Sequence, residues 1–286
     1  MKTALEVKHL TKDYGSFRLD DVSFTVPGGT IMGLIGENGA GKSTTIKCIL
    51  NLIRRDGGEI TVLGLDNIAQ ERAVKEDMGV VLDESTFHDM LRPRQVGKVL
   101  SGIYQNWDGA AFDRYLEKFE LPAGKLIKEF SKGMKMKLSI AAALSARPRL
   151  LILDEATGGL DPVVRDDILD ELLAFIQDED HAVLLSSHIT SDLEKVADYI
   201  SYLHKGRLVV QGAKDELLES YGRLACTRAE LEKVDPALVV GVRRSQFSCE
   251  ALVNDRRAVR RRYPELTVDP VTLEEIMVFT VKGERL

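Results

Sequence analysis

The sequence predicts an α/β fold built on a mostly parallel sheet, and three observations support it. Segments with strand character alternate along the chain with segments of helical periodicity, as in parallel sheets flanked by helices. Residues 150–153 and 182–185 are continuously apolar, which is typical of central strands covered on both faces. A glycine-rich loop at residues 36–41 joins a short apolar strand to a helical segment.

The predicted strands follow from short apolar runs bounded by turn residues. They occupy residues 5–10, 21–26, 30–35, 59–63, 79–82, 150–153, 182–186, 199–203 and 208–211. Strand signals are absent between residues 83 and 148, where amphipathic patterns predict helices at residues 96–104, 109–120 and 132–146. We therefore predict one domain over residues 1–220 that carries a helical insertion at about residues 84–149.

The last part of the chain is irregular and more highly charged, so residues 221–286 are predicted to form a small C-terminal accessory domain or arm. Thr272 and Glu275 have capping-box spacing, which predicts a final helix from Leu273. An arginine cluster within this arm is either a solvated helix face or a surface for anionic lipid headgroups or an acidic partner. The cluster comprises Arg256, Arg257, Arg260, Arg261 and Arg262.

Composition and charge exclude several classes of protein. The net charge of the 286 residues is -6, so no general affinity for nucleic acid is expected. The apolar runs are too short to cross a bilayer, and the N-terminus lacks the pattern of a signal peptide, so a cytoplasmic location is expected. The three cysteines have no paired spacing, and Cys48 is interpreted as a buried thiol.

Residues 36–44 read Gly-Glu-Asn-Gly-Ala-Gly-Lys-Ser-Thr and match the phosphate-binding loop pattern G-x-x-x-x-G-K-[ST]. Glycine lets backbone N–H groups approach phosphates, and the N-terminus of the following helix adds partial positive charge. Lys42 is expected to reach the outer phosphates, and the Ser43 hydroxyl to ligate magnesium. The residues predicted to bind a nucleotide here are Gly36, Asn38, Gly39, Gly41, Lys42, Ser43 and Thr44.

Two carboxylates, Asp154 and Glu155, end the apolar strand at residues 150–153, at the edge where α/β sheets bind ligands. Asp154 is suited to hold magnesium, while Glu155 could polarise the attacking water as a general base. Two acids after a strand could also form an ordinary polar loop. The phosphate-loop pattern upstream favours the functional interpretation.

A further motif, Phe-Ser-Lys-Gly-Met at residues 130–134, opens the predicted helix 132–146. Together with the two sites above, Gly-Gly-Leu-Asp-Pro at residues 158–162 and Ser-His at residues 187–188, it resembles the ATP-binding subunit of an ABC transporter. The resemblance covers roughly residues 5–211. It implies a P-loop NTPase fold of the ABC ATPase type with an N-terminal antiparallel β region, and ATP and Mg²⁺ as cofactors.

The family's signature is usually Leu-Ser-Gly-Gly-Gln, so Ser131 and Gly133 match it while Phe130, Lys132 and Met134 depart from it. In this family the serine hydroxyl and glycine N–H groups contact the γ-phosphate held by the opposite subunit. By itself Ser131 could be an ordinary helix N-cap. The resemblance thus implies a second ATP-binding subunit facing head to tail, in a homodimer or a related heterodimer.

The resemblance assigns three further roles. His188 matches the switch histidine that contacts the γ-phosphate and helps orient water, although a lone histidine at a strand end could be structural. Asp161 matches the loop that crosses the dimer interface. Tyr14 matches the aromatic residue that stacks on adenine, although an isolated tyrosine could serve packing alone.

Asp83 stands where the family usually has a glutamine that ligates magnesium and links hydrolysis to the membrane partner. Its carboxylate could still ligate magnesium, but it is shorter and adds negative charge beside ATP. Aspartate here, the Ser-Lys-Gly-Met signature and Tyr-Gln-Asn-Trp-Asp at residues 104–108 resemble a bacterial subgroup of ABC-2-type exporters.

These patterns predict an ATPase subunit that dimerises on ATP, hydrolyses it with Glu155 and powers a separate transmembrane permease, in the direction of export. Its expected location is the cytoplasmic face of the cell membrane. An apolar patch with Phe87, Met90 and Leu91 as candidates is expected to receive a coupling helix of the permease. Two alternatives are a soluble ABC ATPase that clamps ribosomes or nucleic acid, and a small-molecule kinase, which leaves the signature without a role.

Overall fold

The computed structural model of this chain describes residues 2–83, 87–245 and 248–285, so the predicted start of the helical insertion at residue 84 lies outside the described residues. The strands are β1 (Thr3–Asp13), β2 (Arg18–Pro27), β3 (Ile31–Ile35), β4 (Gly57–Val62), β5 (Leu65–Asp66), β6 (Met78–Val81), β7 (Leu150–Asp154), β8 (Ala182–Ser187), β9 (Tyr199–His204), β10 (Arg207–Ala213), β11 (Gly222–Cys226), β12 (Val239–Arg244), β13 (Cys249–Val253) and β14 (Thr267–Asp269). The helices are α1 (Lys42–Ile49), α2 (Glu71–Glu76), α3 (Pro93–Leu100), α4 (Gly109–Lys118), α5 (Lys132–Ser145), α6 (Pro162–Phe175), α7 (Thr190–Val196), α8 (Lys214–Ser220), α9 (Arg228–Leu231), α10 (Arg256–Arg262) and α11 (Leu273–Lys282).

The central sheet has the strand order β10-β9-β3-β8-β7-β6 and is parallel except for the edge strand β10. Successive residues of β7 enter different hydrophobic clusters, with Leu150 and Ile152 on one face and Leu151 and Leu153 on the other. Both faces are therefore covered, which confirms the interpretation of the continuously apolar runs. The predicted α/β fold with a mostly parallel sheet is confirmed.

A second sheet of order β2-β1-β4-β5 is antiparallel throughout and packs with α1 over one face of the central sheet. This is the antiparallel region that the family resemblance implied. Helices α5, α6 and α7 contribute to the hydrophobic cluster on the opposite face, together with α3 and α4. None of the helices in the described ranges has the length and apolarity needed to cross a membrane.

The helical insertion contains α3, α4 and α5, whose bounds lie close to the predicted ones except in α3. That helix was predicted at residues 96–104 but begins at Pro93 and ends at Leu100. Proline is favoured at the first helical position because its missing N–H has no partner there in any case. Arg92 precedes it as the N-cap residue, and the Arg92 backbone N–H donates to Oε1 of Gln95 at 2.9 Å. The amphipathic pattern alone placed this helix one turn late.

The C-terminal segment forms an antiparallel sheet of order β12-β13-β11-β14 that the sequence did not predict. One face packs on α10 through Val259, and the other face packs on α11 through Ile276 and Phe279. Its strands are three to six residues long and carry charged side chains at outward positions, so their apolar signal is weak. Helix α11 begins at Leu273 with the predicted capping box. The domain boundary near residue 221 stays a prediction.

Three arginines of the C-terminal cluster are engaged within the chain. Arg257 pairs with Glu219 at 3.0 Å, and Arg262 pairs with Asp235 at 2.8 Å. Arg260 donates to the carbonyl oxygen of Val268 at 2.6 Å. These contacts favour the interpretation of the cluster as a solvated helix face with local partners.

Asn67 fixes the end of the helix that follows the phosphate-binding loop. Its side chain is buried, and Nδ2 donates to the last carbonyl oxygens of α1, those of Cys48 at 3.0 Å and Ile49 at 2.9 Å. Its Oδ1 accepts from Arg55 at 2.6 Å. The Asn67 side chain thus pairs with carbonyl groups at the helix C-terminus, where intrahelical partners are lacking; the Cys48 carbonyl oxygen also accepts from Asn51 N at 3.1 Å.

We expect Asn67→Ala to destabilise the fold by about 2 kcal/mol, because two carbonyl groups and Arg55 lose a partner in a buried place. Urea unfolding at neutral pH measures this. Asn254→Ala serves as the control, because the exposed Asn254 makes one 3.2 Å bond to the carbonyl oxygen of Ala237. Equal unfolding free energies for the two variants would contradict the role given to Asn67.

Candidate functional site

The loop between β3 and α1 is tightly packed where the sequence places glycine. A Cβ atom on Gly36 would lie 2.5 Å from the carbonyl oxygen of Leu203, which leaves no room for a side chain. Gly41 has φ of 112°, a conformation that L-residues with side chains rarely adopt. Of the remaining predicted loop residues, Asn38 and Gly39 are exposed, Ser43 and Thr44 are half-buried, and Lys42 is buried. The loop geometry therefore depends on glycine at two positions.

Lys42 is buried at the first position of α1, with 5 % of its surface exposed. Its Nζ donates to the carbonyl oxygens of Gly36 at 2.7 Å and Glu37 at 3.3 Å. It also forms an ion pair with Oε1 of Glu155 at 2.9 Å. A buried ammonium is tolerated where such acceptors surround it. The lysine therefore ties the phosphate-binding loop directly to the predicted catalytic carboxylate.

Glu155 lies just beyond β7 with φ of 54°, the left-handed region that is uncommon for residues other than glycine. Its N–H donates to the carbonyl oxygen of Ser186 at 3.1 Å, which holds the residue against β8. Its Oε2 lies 2.5 Å from Nδ1 of His188. The carboxylate is therefore bounded by an ammonium on one oxygen and an imidazole on the other. Backbone strain of this kind is concentrated at functional sites.

Asp154 is the last residue of β7 and is 6 % exposed. Its Oδ1 accepts a 2.7 Å hydrogen bond from Ser186 Oγ, which orients the carboxylate. Ser43, predicted as the second protein ligand, lies in the first turn of α1 and is half-buried. These hard oxygen donors fit Mg²⁺, which takes few protein ligands and completes its shell with water and phosphate. In the described ranges no three His, Cys, Asp or Glu side chains are grouped to hold a metal by themselves.

Asp83, the third predicted magnesium ligand, follows β6 with its side chain 61 % exposed. Its Oδ1 lies 3.9 Å from Nζ of Lys132 at the start of α5. The metal-ligand role of Asp83 stays a prediction, and the structure adds a cationic neighbour that the sequence analysis did not identify.

The signature residues meet the Asp161 loop at the junction of α5 and α6. Ser131 is the N-cap of α5, and its Oγ accepts from Met134 N at 3.2 Å, so the ordinary capping role is present. A Cβ atom on Gly133 would lie 3.4 Å from a methyl group of Val164. Asp161 caps α6 by accepting from Val164 N at 3.0 Å. Ser131, Gly133 and Asp161 therefore border one continuous surface.

Tyr14 lies in the turn between β1 and β2, and its side chain is 51 % exposed. Lys12 Nζ lies 5.4 Å from the centre of the tyrosine ring. The turn adjoins the phosphate-binding loop through Phe17, whose ring would lie 2.9 Å from a Cβ atom on Gly41. An exposed aromatic ring beside this loop is consistent with stacking on a base, and the stacking role stays a prediction.

A group of side chains beside the phosphate-binding loop has no signal in the sequence motifs. Oε1 of Glu37, a variable position of the loop pattern, lies 2.5 Å from Nδ1 of His204 at the end of β9. Burial, and then the Glu37 carboxylate, raise the pKa of Tyr202 to about 12. The backbone adds a 2.9 Å bond from Gly206 N to the carbonyl oxygen of Ala40. The loop is therefore braced by the β9–β10 hairpin. Both strands were predicted, but no local pattern in the sequence indicates their contact with the loop.

Comparisons with known proteins agree with this geometry. The family model described as ABC transporter matches residues 19–158. The ABC transporter ATP-binding protein YtrB of Bacillus subtilis (strain 168) is 30% identical over 293 residues, covering 98% of this chain and 99% of that protein. The daunorubicin/doxorubicin resistance ATP-binding protein DrrA of Streptomyces peucetius is 33% identical over 282 residues, covering 92% of this chain and 85% of that protein.

A solved structure has the same architecture. It is titled as the ATP binding subunit of an ABC transporter, and it superposes with a TM-score of 0.68 at 30% sequence identity. The match covers 75% of this chain and 91% of that chain. The fold class predicted from the alternation of strands and helices is thus that of ABC ATPase domains.

We expect Tyr202 to make the stability of the fold depend on pH in the alkaline range. The pKa of its hydroxyl is near 10 in an unfolded chain and about 12 in the folded protein, so ionisation opposes folding. The stabilisation that Tyr202 provides is complete below pH 10 and is lost as the pH rises towards 12.

Urea unfolding of wild type and Tyr202→Phe between pH 9 and about 11.5 tests this, because the phenylalanine variant lacks the titrating group. The difference in unfolding free energy should shrink steadily above pH 10. Tyr14→Phe, at an exposed position, is the control. A difference that stays constant over this range would contradict the raised pKa of Tyr202 in the folded protein.

Proposed function

The chain belongs to the family of ABC transporter ATP-binding proteins, and on this basis we propose that it powers a separate transmembrane permease as one of two ATP-binding subunits. The family hydrolyses ATP to drive transport, and this chain is an ATPase. The observation that carries the finer proposal is the contact of Glu155 with both Lys42 and His188.

Hydrolysis needs a group that polarises the attacking water, and Glu155 is the candidate base. Its two oxygens contact Lys42 and His188, so phosphate groups that attract the Lys42 ammonium would free Oε1 to accept from water. His188 is half-exposed and keeps the carboxylate oriented through Oε2. Removal of the Lys42 contact by the nucleotide therefore couples ATP binding to release of the base.

Magnesium would be held by Ser43 and Asp154 together with the nucleotide phosphates. Bound there, it would neutralise charge on the phosphates as the terminal bond breaks. Ser186 keeps Asp154 oriented through its 2.7 Å hydrogen bond. The small-molecule kinase is not favoured, because it gives Ser131, Gly133 and Asp161 no role.

Dimerisation on ATP is supported by the surface on which Ser131, Gly133 and Asp161 lie. The helix N-terminus at Ser131 offers backbone N–H groups to an anion, such as the γ-phosphate of a second subunit. Val163 beside this surface is 72 % exposed, so its apolar side chain is free to pack against a second subunit. The second subunit could be a further copy of this chain or a related one.

Docking of the permease is supported by a groove of about 770 Å³ between the end of β6 and the start of α5. The residues lining it combine apolar and charged side chains, and are Asp83, Phe87, His88, Asp89, Phe130, Lys132, Lys135 and Met136. Of the three predicted patch residues, Met90 is 55 % exposed, whereas Phe87 and Leu91 are half-buried and pack on the core. A mixed groove of this kind suits a short amphipathic helix.

The permease would hold the protein at the cytoplasmic face of the membrane. Export is favoured over import by the resemblance to the ABC-2-type subgroup, and the name of DrrA connects that relative with drug resistance. A clamp on ribosomes or nucleic acid is the alternative. Affinity purification from the native host separates them, because a polytopic membrane protein as stable partner supports the proposal and ribosomes or nucleic acid would overturn it.

We expect Glu155→Gln to bind ATP while its hydrolysis rate falls at least about 100-fold, because the amide keeps the size of the side chain and loses its basicity. ATP that is bound but not hydrolysed should lock the dimer. Size-exclusion chromatography with Mg²⁺ and ATP measures the dimer, and phosphate release measures turnover. A monomer that hydrolyses ATP at the wild-type rate would exclude Glu155 as the base.

Met90 follows the lining residues His88 and Asp89 in the chain, so we expect Met90→Glu to weaken association with the permease. ATP hydrolysis by the isolated chain should stay within about twofold, since surface substitutions rarely perturb the fold. Copurification with the permease and phosphate release are the two measurements. Leu52→Glu is the matched control, because Leu52 has 58 % of its side chain exposed and lies after α1, outside the groove. Equal loss of association in both variants would contradict the docking site.

A further inference from the structure

Two of the departures from the family pattern, Asp83 and Lys132, lie close together in the folded chain. The Lys132 ammonium donates a 2.7 Å hydrogen bond to the carbonyl oxygen of Gly158 and lies 3.9 Å from Oδ1 of Asp83. A residue at the start of α5 therefore connects the loop after β6 with the turn that follows Glu155. The sequence separates these segments, and no local pattern indicates that they touch.

The positive charge of Lys132 lies at a position where nearby negative groups must offset it. Lys132 is the first residue of α5, where the helix dipole presents partial positive charge, and the first turn of this helix contains no acidic residue. A cation there is unfavourable by itself. The Gly158 carbonyl oxygen and the Asp83 carboxylate supply the negative charge that the helix lacks. The ammonium is thereby directed towards the turn after Glu155.

That turn is held on both sides. Gly158 N donates to the carbonyl oxygen of Glu155 at 3.1 Å, and a Cβ atom on Gly158 would lie 3.7 Å from Cε1 of His188. On the opposite side, the Lys132 ammonium would lie 3.2 Å from a Cβ atom on Gly159, whose φ is 68°. The turn is thus confined between the Glu155–His188 pair and the end of the Lys132 side chain.

We propose that Lys132 is a positioning residue for ATP hydrolysis, which holds the turn at residues 155–159 so that Glu155 keeps its orientation beside His188. Asp83 acts on hydrolysis through Lys132, as its counter-charge. This inference rests on the proposed function of Glu155 as the base.

As a counter-charge to Lys132 and as a magnesium ligand, Asp83 would change the rate of ATP hydrolysis to different extents. Asp83 and Lys132 are both more than half exposed, and ion pairs of this kind are weak, so loss of the charge should change the rate by about fivefold or less. Loss of a magnesium ligand would cost more and would raise the magnesium requirement. The Lys132 hydrogen bond is charge-assisted, so its loss should lower the rate about tenfold or more.

The test is a double-mutant cycle of Asp83→Asn and Lys132→Met in the full-length chain, with kcat, KM for ATP and the Mg²⁺ concentration at half-maximal rate measured for each protein. We expect Lys132→Met to lower kcat with KM within about twofold, and Lys132→Arg to restore most of kcat because it keeps the charged donor. In the Lys132→Met background, Asp83→Asn should have no further effect. If Asp83→Asn lowers kcat in the Lys132→Met background and raises the Mg²⁺ concentration at half-maximal rate, Asp83 is a magnesium ligand and the inference is overturned.

A second measurement does not depend on turnover. Hydrogen–deuterium exchange of backbone amides at residues 155–160 should be faster in Lys132→Met than in wild type, because the turn has lost one of its supports. Lys137→Met is the matched control, because Lys137 lies on the same helix and pairs with Asp167 at 2.7 Å, away from the turn. Unchanged exchange in Lys132→Met would overturn the positioning role.

Comparing the ATP hydrolysis rates of wild type, Glu155→Gln and Lys132→Met distinguishes failure of this inference from failure of the proposed function. If Glu155→Gln hydrolyses ATP at the wild-type rate, Glu155 is not the general base, and the proposed function of Glu155 and this inference are both overturned. If Glu155→Gln is inactive but Lys132→Met hydrolyses ATP at the wild-type rate, the inference about Lys132 is overturned and the proposed function stands.

Discussion

The register of the parallel strands determines where the chemistry of this protein takes place. Ile35 of β3 pairs with Ser187 of β8, and Ser186 pairs with Asp154 of β7, so the three strands end level with one another. The residues that follow these strand ends are the phosphate-binding loop, Glu155 and His188. A shift of one strand by one residue would turn its side chains to the opposite face and separate these groups.

That register is held by burial on both faces of the sheet. Alternate residues of β3, β7 and β8 enter two separate hydrophobic clusters, one shared with α1 and the antiparallel sheet and the other with α5, α6 and α7. Apolar surface removed from water stabilises the fold by roughly 25 cal/mol per Å², so a slipped strand would expose side chains from both clusters. The rigid sheet allows Lys42 to stay buried, because its acceptors are fixed at hydrogen-bonding distance.

Helix α5 links two regions with different tasks. Its first residue contacts the turn after Glu155, and its first turns line the groove beside Asp83. Its later residues pack on β6, α3 and α4. A displacement of the insertion by a partner would therefore reach the catalytic edge through one rigid element. The contacts of Lys132 and Asp83 give that connection a chemical basis in this chain.

The sequence by itself determined the elements whose signals are local: the loop at residues 36–44, the apolar strand before Asp154 and Glu155, and the capped start of α11 at Leu273. Each of these depends on residues a few positions apart, which turn or cap geometry relates directly. Only the tertiary structure decided that Glu155 contacts Lys42, that Glu37 contacts His204, and that Lys132 contacts Gly158. Sheet order and close packing select these partners from distant parts of the chain, and local spacing carries no record of that choice.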